Sequence, residues 1–245
     1  MKLLSFLSLV ALILGCATAA PAAWQDDYSA LLQKYVTPTG VSYREWHANQ
    51  ADVQKMVGVT DAIAAARPPG GKDERLAFYI NAYNAWILRN ILHDYPTKGP
   101  GGGGFFGRKR FFGGDHITVG GKKMSFNDLE HEVIRAEFAD PGVHFALNCA
   151  SRSCPPLMDR AFTGANLQAD FRRLADAYIN QNPEGVREKG GDYQVSSIFK
   201  WYKDDFESDA GSVRAYINKY RRSPIPGDAE IRYLDYNWNL NEARR

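Results

Sequence analysis

Apolar residues recur at helical spacing in several stretches of the chain, and these set its frame. From Trp24 to Tyr35 they fall at Tyr28, Leu31, Leu32 and Tyr35, one face of a helix that Thr37-Pro38-Thr39-Gly40 ends. A second amphipathic pattern runs from about Tyr43 to Ala66 and closes at Pro68-Pro69-Gly70-Gly71. Asp73 to His93 leaves almost no polar face, so this helix is expected in the middle of the domain. Asn166 to Gln181 turns Leu167, Phe171, Leu174, Ala175 and Tyr178 inward, and Val213 to Tyr220 forms a last helix.

Strand patterns are shorter. Asp115 to Val119, then Gly120-Gly121, then Lys122 to Met124 reads as a hairpin with a two-glycine turn. Val143 to Leu147, an apolar run after Pro141-Gly142, reads as a buried strand, and Tyr193 to Val195 and Ile231 to Leu234 as two more. Between helix and hairpin, Lys98 to Gly114 is glycine-rich, and its basic and aromatic residues are expected to lie on a flexible, solvated loop. Residues 24–245 are therefore read as one α+β domain, helix-rich, with a central buried helix packed on a small antiparallel sheet.

Residues 1–20 are set apart from that fold. Lys2 followed by the apolar run Leu3 to Leu14 is the pattern of a secretory leader, too short for a membrane span. Two exits stand open: cleavage after Ala17-Thr18-Ala19, or lipid attachment at Cys16 in Ile13-Leu14-Gly15-Cys16. Either places the domain in the periplasm or cell envelope, with membrane contact only through a lipid on Cys16. A formal charge of +2 supplies no global field for nucleic acid.

Chemistry concentrates in His144 to Leu157, which holds Cys149 and Cys154, the two thiols outside the leader. Ser151-Arg152-Ser153 and Pro155-Pro156 give neither strand nor helix period, so Cys149 sits where an ordered element opens into a loop. Two readings stay open. In an exported protein, cysteines five apart form a disulfide; alternatively Cys149 is a reactive thiolate, with Cys154 as its resolving or structural partner. A thiolate needs an imidazole within reach, and on a straight strand His144 would lie about 16 Å from Cys149 on the opposite face.

Ser125 starts a helix with Asp128 in capping-box register, and Asp128, His131 and Arg135 share one of its faces. His131 is thus a second candidate base, in a setting also typical of a surface ion cluster. Asn81 and Asn84, three apart on the central helix, either tie it to neighbouring backbone or orient a catalytic group or substrate. Arg135 and Arg152 are further candidates for substrate contact. The Ile198 to Phe206 segment, with its aromatic residues and acids, is read as packing. The cysteine and histidine spacings match no zinc pattern, and neither a phosphate-binding loop nor a serine elbow occurs, so no metal or cofactor is expected.

Five segments in order resemble one family: Tyr79 to Ala85, Ser125 to His131, His144 to Pro156, Phe199 to Phe206, and Tyr236 to Asn241. Together they look like the bacterial and plant family called domain of unknown function 547. The resemblance spans about Tyr28 to Asn241, with one departure, Asn237, where that pattern has aspartate. It implies a fold distantly like papain and transglutaminase, in which thiol, imidazole and a carboxylate or amide meet where a helix packs on a sheet. In those folds the nucleophile opens the central helix; here that helix carries Asn81 and Asn84 but no cysteine, so their triad does not transfer directly. Two functions follow as expectations. One is a thiol-dependent hydrolase, transferase or redox protein using Cys149 with His144 or His131. The other is a non-catalytic envelope module, binding a small molecule or peptide on a loop held by a Cys149–Cys154 disulfide.

Overall fold

Three helices at the start of the domain form a platform for the buried one. In a computed structural model describing residues 23–244, α1 (Ala23–Tyr35) leads through the short antiparallel pair β1 (Val36–Thr37) and β2 (Gly40–Val41) into α2 (Tyr43–Ala48) and α3 (Gln50–Ala65). Asn49 separates α2 from α3 because its side chain caps α3 by accepting from the Asp52 N–H. The near-continuous apolar pattern emerges as α4 (Lys72–His93), whose residues from Leu76 to Leu92 are buried on almost every side. Trp86 donates its indole N–H to the Thr118 carbonyl, tying α4 to the hairpin of β3 (Ile117–Val119) and β4 (Lys122–Met124).

That hairpin connects through Gly120 and Gly121, at φ +60° and +78°, the left-handed pair that a two-residue turn requires. Lys98 to Gly114 differs from the expected flexible loop. It forms a 3₁₀ turn at Gly99–Gly101 and then α5 (Gly104–Gly113). Phe111 and Phe112 of α5 pack on Phe126, and this tertiary contact overrides the low helix propensity of the glycines.

The capping box forms as spaced: Asp128 N–H donates to Ser125 Oγ, and Ser125 N–H to Asp128 Oδ2. The helix it starts is wound as a π-helix over Asp128–Arg135 before α6 (Ala136–Phe138). Next come α7 (Val143–Ala146), the cysteine loop, α8 (Leu167–Gln181), and a three-stranded sheet in the order β5 (Val186–Lys189), β6 (Asp192–Val195), β7 (Ile231–Tyr233). In that sheet β5 and β6 are antiparallel and β6 and β7 parallel. Between β6 and β7 lie α9 (Ile198–Trp201), α10 (Lys203–Ala210) and α11 (Val213–Asn218). The molecule is a helix-rich α+β fold whose small sheets flank one hydrophobic cluster running from Trp24 to Leu240. No helix among the described residues is long and apolar enough to cross a membrane. The leader with Cys16 lies outside the described residues.

Candidate active site

The expected strand at Val143 to Leu147 is instead the helical turn α7, followed by extended Leu147. Its cause lies just upstream. Asp140 accepts the Gly142 N–H on its side chain and the Val143 N–H on its carbonyl, and Pro141 stands just before Gly142, the residue that caps the turn. Val143, His144, Phe145 and Ala146 are all buried, so no amphipathic period marks the helix. The turn removes the straight-strand separation between His144 and Cys149, and both now line one cleft of about 150 Å³.

Asn84 holds the exit of that turn. Its side chain donates to the Ala146 carbonyl and accepts the Asn148 N–H, at 2.9 and 2.8 Å. Asn81 does the same for Phe162. Both amides are buried with their groups filled by backbone, so they position the loop and touch no cleft. Asn148 then closes the cysteine loop on itself, accepting from Ala150 N–H and donating to the Pro155 carbonyl. Ala150 takes the left-handed conformation at φ 61°, a strained choice for a residue with a Cβ, directly after the thiol.

The two cysteines are unbridged, their sulfurs 2.6 Å apart. Cys154 is buried while Cys149 is partly open. Cys149 Sγ also meets Ser151 Oγ at 3.2 Å and Tyr236 Oη at 3.5 Å. The hydrogen bond with Cys154, joined by those with Ser151 and Tyr236, brings the Cys149 thiol down to about 7 against the opposing effect of burial. Burial pushes the Cys154 thiol well up. The loop's outer edge is completed by residues 237–241: Arg152 N–H donates to Asn239 O, Ser153 N–H to Asn237 O, and Asn241 N–H to Ala150 O. The Asn237 N–H in turn donates to Ser153 Oγ.

His144 is enclosed, its side chain 1% exposed, with its ring stacked 3.9 Å from that of Tyr202. Its Nε2 lies 2.7 Å from Asp205 Oδ2. Arg135 grips the same carboxylate with Nε and Nη2, at 2.8 and 2.9 Å. The hydrogen bond from His144, aided by Arg135, holds Asp205 well below the usual carboxylate range, whereas burial lowers the His144 pKa. At neutral pH the imidazole is therefore neutral and Asp205 ionised. A carboxylate only accepts, so Nε2 carries the ring proton and Nδ1 keeps its lone pair. Nδ1 makes no hydrogen bond among the described residues.

His131 lines the cleft too, but its Nδ1 accepts from Arg135 Nη1 at 3.0 Å, which occupies the nitrogen it would offer as a base. Asp128 is spent on the capping box and does not orient it. Arg135 braces Asp205 and does not line the cleft. Arg152 points away, donating to the Glu242 carbonyl beside other grooves. No group of metal-ligating side chains occurs among the described residues.

Asp205, Tyr202 and Tyr236 escaped the sequence reading. Asp205 and Tyr202 belong to the stretch read as packing, which they also serve. The signal available was their place in two of the five recurring segments. Chemically, the cleft joins an acidified, partly open thiol to a neutral, carboxylate-oriented imidazole, the parts a nucleophilic thiol enzyme needs.

No curated protein and no solved structure matches the chain. A family described as "Protein of unknown function, DUF547" matches residues 70–179, which contain α4, the π-helix, His144 and both cysteines, while Asp205 and Tyr236 lie beyond the matched segment. Over that segment the chain matches the DUF547 family.

Proposed function

We propose that this protein is a thiol-dependent hydrolase or transferase in which Cys149 is the nucleophile, His144 its general base and Asp205, braced by Arg135, the group that orients the imidazole. The observation that carries this reading is the bond between His144 Nε2 and Asp205, which fixes the tautomer and leaves Nδ1 to take a proton in the cleft shared with Cys149. Attack by Cys149 on an acyl carbon would form a thioester and expel the leaving group. Water or another acceptor would then release the acyl group and regenerate the thiol.

The reduced protein should be incubated with p-nitrophenyl acetate, followed by release of nitrophenol and by mass spectrometry of the peptide carrying residue 149. Acetylation at Cys149 with turnover is expected, lost in Cys149→Ala and slowed about 100-fold or more in His144→Gln. Acetylation no faster than in the urea-unfolded chain would sink the proposal.

The 2.6 Å approach of the sulfurs favours a second reading, a non-catalytic binding module whose loop is held by a Cys149–Cys154 disulfide. Reaction with glutathione disulfide would form that bond and release two glutathione thiols. If the bridged protein binds its ligand as tightly as the reduced one, and the ester assay is silent, this reading replaces the first. Either function is read as belonging to the cell envelope, as the leader pattern suggests.

A further inference from the structure

The cleft beside Cys149 carries a carboxylate that the thiol chemistry leaves unused. Glu130 lies on the π-helix, next to His131, and is 8% exposed. Such windings are common at functional sites because they displace one turn of side chains. Glu130 lines the cleft, and its Oε1 accepts a hydrogen bond from the Tyr202 hydroxyl. Its Oε2 has no hydrogen bond, and no lysine or arginine lies within ion-pair distance of either oxygen among the described residues. Arg135, the nearest guanidinium along its own helix, commits three of its nitrogens to Asp205 and His131. A buried carboxylate is costly to hold with so few partners, and a ligand cation would supply the missing one.

The aromatic residues of the same lining suit the same ligand. Trp201, Tyr236 and Trp238 line the cleft as a cluster, with ring centroids 4.7 Å apart for Trp201 and Tyr236, and 4.5 Å for Tyr236 and Trp238. Trp201 is 46% exposed, an unusual setting for so large an apolar ring. Aromatic faces attract cations, and here Trp238 already carries the Arg108 guanidinium 4.9 Å from its ring. Trp201 and Tyr236 have no such partner among the described residues.

We propose that the cleft binds an alkylammonium group, with Glu130 as its counter-ion and Trp201 and Tyr236 as its aromatic wall. The substrate of the thiol reaction would then be a compound bearing a protonated amine. This inference deepens the thiol-enzyme reading and shares its site, but binding of the cation does not need Cys149 to react.

The test is a titration of the full reduced chain with n-butylammonium, 1-butanol and butyrate, read by tryptophan fluorescence. Saturable binding of butylammonium about tenfold tighter than that of the neutral and anionic analogues is expected, and Glu130→Gln should abolish the difference. Equal affinity for butylammonium and butanol, or an unchanged preference in a folded Glu130→Gln, would overturn the proposal.

Should that variant not fold, the wild-type chain gives an independent measurement. Cys149 is modified by cationic aminoethyl and anionic sulfonatoethyl methanethiosulfonate, and the rate ratio is divided by that of the urea-unfolded chain. A ratio of about 10 or more is expected, and a ratio near 1 overturns the cation site. The two readings separate cleanly. Fast reaction with neutral methyl methanethiosulfonate but no cation preference removes the ammonium site and keeps the thiol reading. Butylammonium binding with a Cys149 inert to all three reagents does the reverse.

Discussion

His144 Nε2 and Asp205 Oδ2 lie 2.7 Å apart although 61 residues separate them in the chain. This contact, with the Arg135 fork behind it, makes an enclosed imidazole compatible with a stable fold. Replacing Asp205 by Asn should lower the rate of Cys149 acylation about 100-fold or more, because the amide can present its N–H to Nε2 and favour the wrong tautomer. The ester assay on the folded variant checks this.

The same carboxylate makes stability depend on pH. Its folded pKa is held below the unfolded value near 3.9. Its contribution is therefore fully present above that value and is lost as pH falls through the unfolded pKa towards the folded one. Urea midpoints at pH 7 and pH 3 should show the wild-type advantage over Asp205→Asn shrinking in acid. An advantage that grows in acid would contradict the assignment.

Alkylation of Cys149 by iodoacetamide should follow a titration centred near pH 7. The largest cause is the hydrogen bond with Cys154, so Cys154→Ala should move the midpoint up, towards about 8.5, the value of an ordinary thiol. Tyr236→Phe removes a smaller contribution and should move it less. Rate against pH, measured by mass spectrometry on the residue-149 peptide, separates the three proteins.

Asn84→Leu leaves the Ala146 carbonyl and the Asn148 N–H buried without partners. The expected cost is about 2 kcal/mol, a fall in Tm of about 4–8 °C for a domain of this size. Part of the loop order should go with it, seen as faster amide exchange at Asn148 and Cys149.

Gly142 precedes the turn that carries His144, and a Cβ there would lie 2.4 Å from Cδ2 of Phe171. Gly142→Ala should cost about 1–3 kcal/mol through that overlap. Thermal melts of the single variant and of Gly142→Ala with Phe171→Leu, which should recover part of the loss, check the cause.

The long periodic elements were legible in the sequence. The α4 pattern gave a buried central helix, and Ser125 with Asp128 gave a capping box, because apolar spacing and cap chemistry are local. The turn at Val143 was not, since burial on every side erases periodicity; the Asp140-Pro141 start signal was present and outweighed by the apolar run. Phe111 and Phe112 order α5 through contact with Phe126, a partner that no local rule supplies. Cys149 and His144 were visible as chemistry. Asp205 was hidden because its role depends on a contact 61 residues away, and an acid among aromatics reads first as packing.

The cysteine loop is bordered by residues 237–241, and its thiol shares a hydrogen bond with the Tyr236 hydroxyl. These groups join the chain more than 80 residues after Cys149 itself. Until they dock, the sulfur lacks part of the setting that acidifies it and stays closer to a plain, largely protonated thiol at neutral pH. Reactivity is thereby coupled to completion of folding, so a half-folded molecule carries its nucleophile in a muted form.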